Sequence, residues 1–162
     1  MPTPTYDKIA TQTVSGFATN ITFSSIPGTY RDLILVCQGI TDTTTQAWIR
    51  FNNNSSNIYN FTNASAIAGG TYSAFALATQ FRFANRVEFS ASERVIAIIQ
   101  ILDYAQTDKH KVVLSRTSRN DGSELQTSRY ESTSAISSIL IDQEASSTFS
   151  DGSVFTLYGL VS

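Results

Sequence analysis

The sequence predicts an all-β fold: a single-domain β-sandwich of jelly-roll type, with about ten strands and little helix. Three observations predict it. Short runs of β-branched, aromatic and apolar residues are broken by Gly, Asn, Asp and Ser clusters throughout the chain. No stretch carries a long apolar stripe at helical spacing. Two Asp-Gly pairs and one Pro-Gly pair fall between the apolar runs, where turns belong.

Taken in order, Ile9 to Val14, Ile21 to Ile26 and Leu33 to Ile40 read as strands. Pro27-Gly28 lies between the second and third. Proline presets φ and glycine accepts positive φ, so the pair fits a type II turn. Ala47 to Asn52 follows, with Trp48, Arg50 and Asn52 on one face and Ile49 and Phe51 on the other. Asn53 to Gly70 is polar and Asn-rich, a long loop or an irregular strand. Tyr72 to Phe89 is rich in aromatics and fits either state. Ala64 to Ala68 and Tyr72 to Thr79 could each supply a turn or two of helix. Arg94 to Asp103 and Val112 to Arg119 are strands. Asn120-Asp121-Gly122 predicts a hairpin, because Asp-Gly tolerates the positive φ of a type I′ turn. The return strand runs from Ser123 to Glu131. Ala135 to Ile141 and Val154 to Val161 close the chain, with Asp151-Gly152 before the last.

The chain of 162 residues suits one domain, 1–162, and can bury a core without staples. Formal net charge is −2, and 15% of residues are charged. Such a surface steers neither nucleic acid nor acidic substrates, and Lys109–Lys111 is its longest basic run. The single cysteine, Cys37, sits in an apolar run and reads as a small buried hydrophobe. One His and one Cys are too few for a structural zinc site. Met1 to Lys8 lacks the pattern of a signal peptide, and no run reaches the about 18 apolar residues of a membrane-spanning helix. The expectation is a protein made in a cytoplasm. Several Asn-X-Ser/Thr triplets, such as Asn60-Phe61-Thr62, then read as turn and surface residues.

Catalysis has one formal centre, the segment Leu102 to Arg116, which holds the only histidine, His110. The polar residues Asp103 to Lys111 lie between two strands, as a surface connection does. His110 sits between two lysines, and no nucleophile and orienting partner are marked beside it. The pairs Glu88 and Glu93, Glu124 and Glu131, and Asp142 and Glu144 could formally serve a glycosidase, but thirteen acids in a β-domain produce such pairs by chance. Asn52-Asn53-Asn54 with Asp42 is a weak calcium signal. No phosphate-cradling loop or nucleophile elbow is present. The expectation is a non-enzyme without cofactor or metal.

One strand points outward. In Arg94 to Leu102 both faces are apolar, and the same holds for Leu33 to Cys37. A sandwich strand normally shows water one face. Either a loop of this chain or a neighbouring subunit covers the second.

Ile9 to Val14, Ile21 to Pro27, Tyr30 to Val36, Ile49 to Asn52, Asp103-Tyr104-Ala105, Lys109-His110-Lys111 and Gly152 to Gly159 occur in this order. The set resembles small virion structural proteins of tailed bacteriophages, cyanophages among them, over nearly the whole chain. The resemblance implies a capsid decoration (cement) protein or a tail-associated protein. Such a protein is a β-sandwich that docks on the major capsid protein or another virion protein, often as a homotrimer, with no catalytic residues. It implies a place in the virion, and the charge and hydropathy above add the expectation of no nucleic-acid or membrane partner. The alternative is a tail-fibre or receptor-binding module gripping cell-surface glycans.

Two segments could make the contact. Tyr72, Phe75, Arg82 and Arg86 belong to an aromatic- and arginine-rich stretch, and these residue types are enriched at interface hot spots. Phe81, Phe83 and Phe89 in the same stretch could equally be core. Residues 1–5, with Pro2 and Pro4, are expected to form an extended arm.

Overall fold

A computed structural model describes residues 5–67, 70–144 and 146–161. Fourteen strands account for its regular structure, and no helix occurs among the described residues. In chain order they are β1 (Tyr6–Thr13), β2 (Phe17–Ala18), β3 (Asn20–Phe23), β4 (Asp32–Gly39), β5 (Thr45–Phe51), β6 (Tyr59–Ala66), β7 (Thr71–Ala78), β8 (Phe81–Phe89), β9 (Val95–Leu102), β10 (Lys111–Arg119), β11 (Gly122–Tyr130), β12 (Ile139–Gln143), β13 (Phe149–Ser150) and β14 (Val154–Leu160). An eight-stranded sheet runs β1-β14-β4-β9-β10-β11-β6-β7, and a four-stranded sheet runs β3-β12-β5-β8. The short β13 and β2 pair at one end. Every pairing is antiparallel. The protein is an antiparallel β-sandwich, as the alternating runs predict.

The core lies between the two sheets. The large sheet contributes Leu33, Leu35, Cys37, Ile99, Ile101, Val113 and Leu157, and the small one Ile49, Phe51, Phe81, Phe83, Ile139 and Ile141, all buried. Rings pack edge to face at one end: Phe83 on Phe89 at 6.0 Å, Phe89 on Phe149 at 5.7 Å and Phe149 on Phe155 at 4.8 Å between centroids. This geometry sets ring edges against the electron-rich faces. At the other end Phe51, Tyr59 and Tyr130 form a second cluster, 5.0–6.2 Å apart. Phe81, Phe83 and Phe89 are therefore core, one of the two readings their sequence allows.

Several local expectations are corrected. Of the two readings of Asn53 to Gly70, the irregular strand holds for its second half, which is β6, paired on both sides with a register shift against β7. Its buried polar residues are satisfied from the neighbouring strands, Asn63 by Glu124 and Ser73 and Ser65 by Thr71. The two stretches with helical potential lie in β6 and β7, as far as described residues show. Tyr72 to Phe89 is two strands turned at Thr79-Gln80. The Asn120-Asp121-Gly122 hairpin exists, but its loop is Asn120-Asp121, with Arg119 paired to Gly122. None of the three residues has positive φ, so the turn is not type I′. Arg119 instead clamps Asp121 through Nε and Nη2 at 2.5 and 2.8 Å, and Glu93 accepts the Asn120 N–H at 3.1 Å. Gly28 likewise keeps ordinary φ, which rules out the type II turn. The strand expected from Ala135 starts at Ile139, because the side-chain Oδ1 of Asn52 accepts the N–H groups of Ser137 and Ser138 at 2.9 and 3.2 Å.

Candidate docking surface

The eight-stranded sheet has an inner face on the core and an outer face on which the described residues place no second layer. Strand alternation decides which side chains point out. Val113, Ser115 and Thr117 of β10 turn inward, so Val112, Leu114, Arg116 and Ser118 turn outward. In register across the sheet, one outward row reads Ala64, Leu125, Arg116, Ile98 and Val36. The next reads Thr62, Thr127, Leu114, Gln100, Ile34 and Tyr158. The doubly apolar strand of the sequence is β9. No described loop covers its outer face: Ile96 is 45% exposed, and nearby Leu114 and Leu125 are 42% and 59% exposed.

From β6 to β14 these two rows hold a single charged residue, Arg116, and no acid, and Lys8 of β1 continues the second row beyond Tyr158. Among the described residues no carboxylate bridges to Arg116. Arg129, farther along β11, is paired with Glu131. Around Arg116 the sheet forms an open trough of about 540 Å³, lined by Ile98, Gln100, Leu114, Leu125, Thr62, Thr127 and Tyr72. An exposed guanidinium bordered by aliphatic side chains can pair with a carboxylate while its neighbours bury apolar surface.

The sheet behind the trough is braced by a buried carboxylate. Glu124, opposite Thr117 in the β10–β11 ladder, points between the sheets. Its Oε2 accepts the consecutive backbone N–H groups of Asn85, Arg86 and Val87 at 3.2, 2.9 and 3.0 Å. Its Oε1 accepts the amides of Asn63 and Gln126 at 2.6 and 2.7 Å. Thr117 Oγ1 donates to the Phe83 carbonyl at 2.5 Å. Five donors on one carboxylate satisfy it without a cation. The same bonds hold the irregular stretch of β8, where its register against β5 shifts. Ser115 Oγ, Gln126 Oε1 and Ser128 Oγ, nearby on the inner face, have no partner. In sequence Glu124 stands out only as a formal acid pair with Glu131. Its partners come from β6, β8 and β11, distances in sequence that no spacing reveals.

The proposed contact residues fall in different places. Tyr72 and Phe75 share β7, the end strand of the large sheet. Tyr72 is 75% exposed on the outer side, while Phe75 stacks on Phe61 at 4.7 Å from its partly exposed position. Arg82 and Arg86 lie on β8 in the other sheet. Arg82 is held by Glu144, its Nε donating at 2.9 Å, and Arg86 is exposed. Pro2 and Pro4 lie outside the described residues.

The formal catalytic candidates are dispersed. His110 is exposed in the β9–β10 connection. Its neighbour Lys111 corrects the picture of a surface basic run, because it is fully buried. Its ammonium donates to the carbonyls of Gln106, Lys109 and Thr133, tying the loop down, and burial lowers its pKa. Cys37 is buried, and burial pushes its thiol up, away from reactivity. Asp42 accepts Ser147 Oγ at 2.6 Å and the Thr148 N–H at 2.8 Å, which lowers its pKa to about 2. Asn52 is occupied with Ala135, Ser137 and Ser138, so it and Asp42 do not share a site. No group of three or more metal-ligating side chains occurs among the described residues.

No protein-family model matches this chain, and no curated protein matches it. Among solved structures, the marine PL-14 alginate lyase from Aplysia kurodai aligns over 83% of this chain and 70% of that one, at 8% identity and a TM-score of 0.36. A likeness at that level carries no argument about activity.

Proposed function

We propose that this chain is a non-enzymatic structural protein of a tailed-phage virion, a capsid decoration protein docking on the shell through the outer face of its eight-stranded sheet. The observation that carries the docking reading is that face: two rows of aliphatic and small polar residues around the charge of Arg116. The ordered resemblance along the chain supports the virion setting. A contiguous exposed apolar patch rimmed by polar residues marks an interaction site. The patch fits a partner surface that offers apolar side chains and one carboxylate, as a shell protein can. Pressing the two rows against themselves across a two-fold axis would bury Arg116 without a counter-charge, which is costly. The partner of this face is therefore a different surface.

The test adds protein to particles that lack it and measures occupancy. Leu114→Asp and Arg116→Glu each weaken binding by about tenfold or more, as loss of a central contact does. Wild-type occupancy by both folded variants would remove this face from the docking site.

A second reading is a tail-fibre module that binds cell-surface glycan. Tyr72, Gln100 and Arg116 around one trough favour it, since a ring, an amide and a guanidinium are the groups that hold a sugar. Copy number separates the two. Hundreds of copies per virion mean the capsid, and a handful mean the tail.

A further inference from the structure

The large sheet ends at β7, and the two ends of that sheet differ. At the far end β1 carries Asp7 and Lys8 and breaks register against β14 between Lys8 and Ala10. Charges of this kind keep an edge from pairing with another chain, and they are what separates the two ends, because β7 also shifts register, against β6 between Tyr59 and Phe61, leaving Thr71 to Phe75 as its regular stretch. β7, Thr-Tyr-Ser-Ala-Phe-Ala-Leu-Ala, has no charge and no proline. β6 is its one strand neighbour, so its other edge presents unpaired backbone N–H and C=O groups. Tyr72 and Leu77 are 75% and 63% exposed on this strand.

We propose that β7 pairs antiparallel with β7 of a second copy, joining two eight-stranded sheets into one. The strand's composition points to its own copy. In a two-fold strand pair each residue lies opposite a residue of the same segment, so any charge would raise self-repulsion, and β7 has none. Its sizes also fit. In a register centred on Ala74, Tyr72 lies opposite Ala76 on the outer side and Phe75 opposite Ser73 on the inner side. Large meets small in both cases. β7 borders the docking face, since Tyr72 lines its trough, but pairing through the backbone edge is measured without any shell protein and so stands or falls separately from the proposed function.

Light scattering at micromolar concentration tests it. Wild type gives a dimer mass. Ala74→Lys, at an exposed position, sets two ammonium groups across the axis and gives a monomer with an unchanged circular dichroism spectrum. Ala74→Cys gives a dimer on a non-reducing gel that a thiol reverses, because facing strand positions lie within disulfide reach. Cys37 is buried and does not compete. Should Ala74→Lys not fold, the crosslink and the hydrogen-exchange protection of β7 amides in wild type decide. A monomeric or trimeric wild type, or a dimer that Ala74→Lys leaves intact, overturns the proposal.

Discussion

Glu124 shows how much one side chain can hold. Three successive backbone N–H groups of β8 and two amides end on its carboxylate. Glu124→Leu fills similar space and leaves five donors without their acceptor, four of them buried. Each orphan costs on the order of 1–3 kcal/mol where no water reaches it, so the variant loses at least about 3 kcal/mol. The urea midpoint measures this, and a loss under 1 kcal/mol would show that the donors find other partners. Asp42 gives a pH-dependent counterpart. Hydrogen bonds from Ser147 and Thr148 lower its folded pKa from 3.8 to about 2. The folded state therefore binds fewer protons than the unfolded state between those values, and the contribution present above pH 3.8 is lost as pH falls to about 2. Asp42→Asn is accordingly less stable than wild type at pH 6, and the gap closes toward pH 2. A gap that stays constant over that range would mean the carboxylate charge contributes nothing.

At the scale of elements, the β10–β11 hairpin separates two reasons for a glycine. Gly122 keeps ordinary φ, so backbone freedom does not require it. A Cβ there would stand 2.8 Å from the Ala66 carbonyl oxygen and 3.0 Å from Ile67 Cβ. Gly122→Ala thus costs about 1–3 kcal/mol through crowding against β6. An unchanged melting temperature would refute the steric account. The hairpin was legible because polar turn residues separate two alternating runs. Its turn type was not, because the Arg119 clamp and the Glu93 contact are tertiary. β6 was hidden for a related reason. Asn63 and Ser65 point inward, and a polar inward face erases the alternation that marks a strand. The outward apolar rows, by contrast, were visible as strands apolar on both faces. Which residues share a trough was not, since Arg116, Ile98 and Leu125 meet only through register.

At the scale of the whole molecule, the edge and the face combine. An antiparallel pair of β7 strands continues the sheet, so both outer faces look the same way. Arg116 lies on the fourth strand from the β7 end, which puts seven strand spacings between the two copies of Arg116. At about 4.8 Å per spacing the two strands that carry them lie about 34 Å apart across the joined sheet. Two like faces at a fixed span suit a regular lattice, where the second contact forms at high effective concentration. Ala74 closes the Thr62 row three strands from Leu114, so Ala74→Lys should lower the affinity for a single isolated shell subunit only slightly. It should lower the apparent affinity for whole particles by about 10²-fold or more, the range that avidity supplies. Arg116→Glu should weaken both and leave the dimer intact. Surface plasmon resonance against immobilised subunit and against particles separates the two effects. Equal loss on both surfaces for Ala74→Lys would mean that β7 touches the shell itself, and that edge and face form one contact.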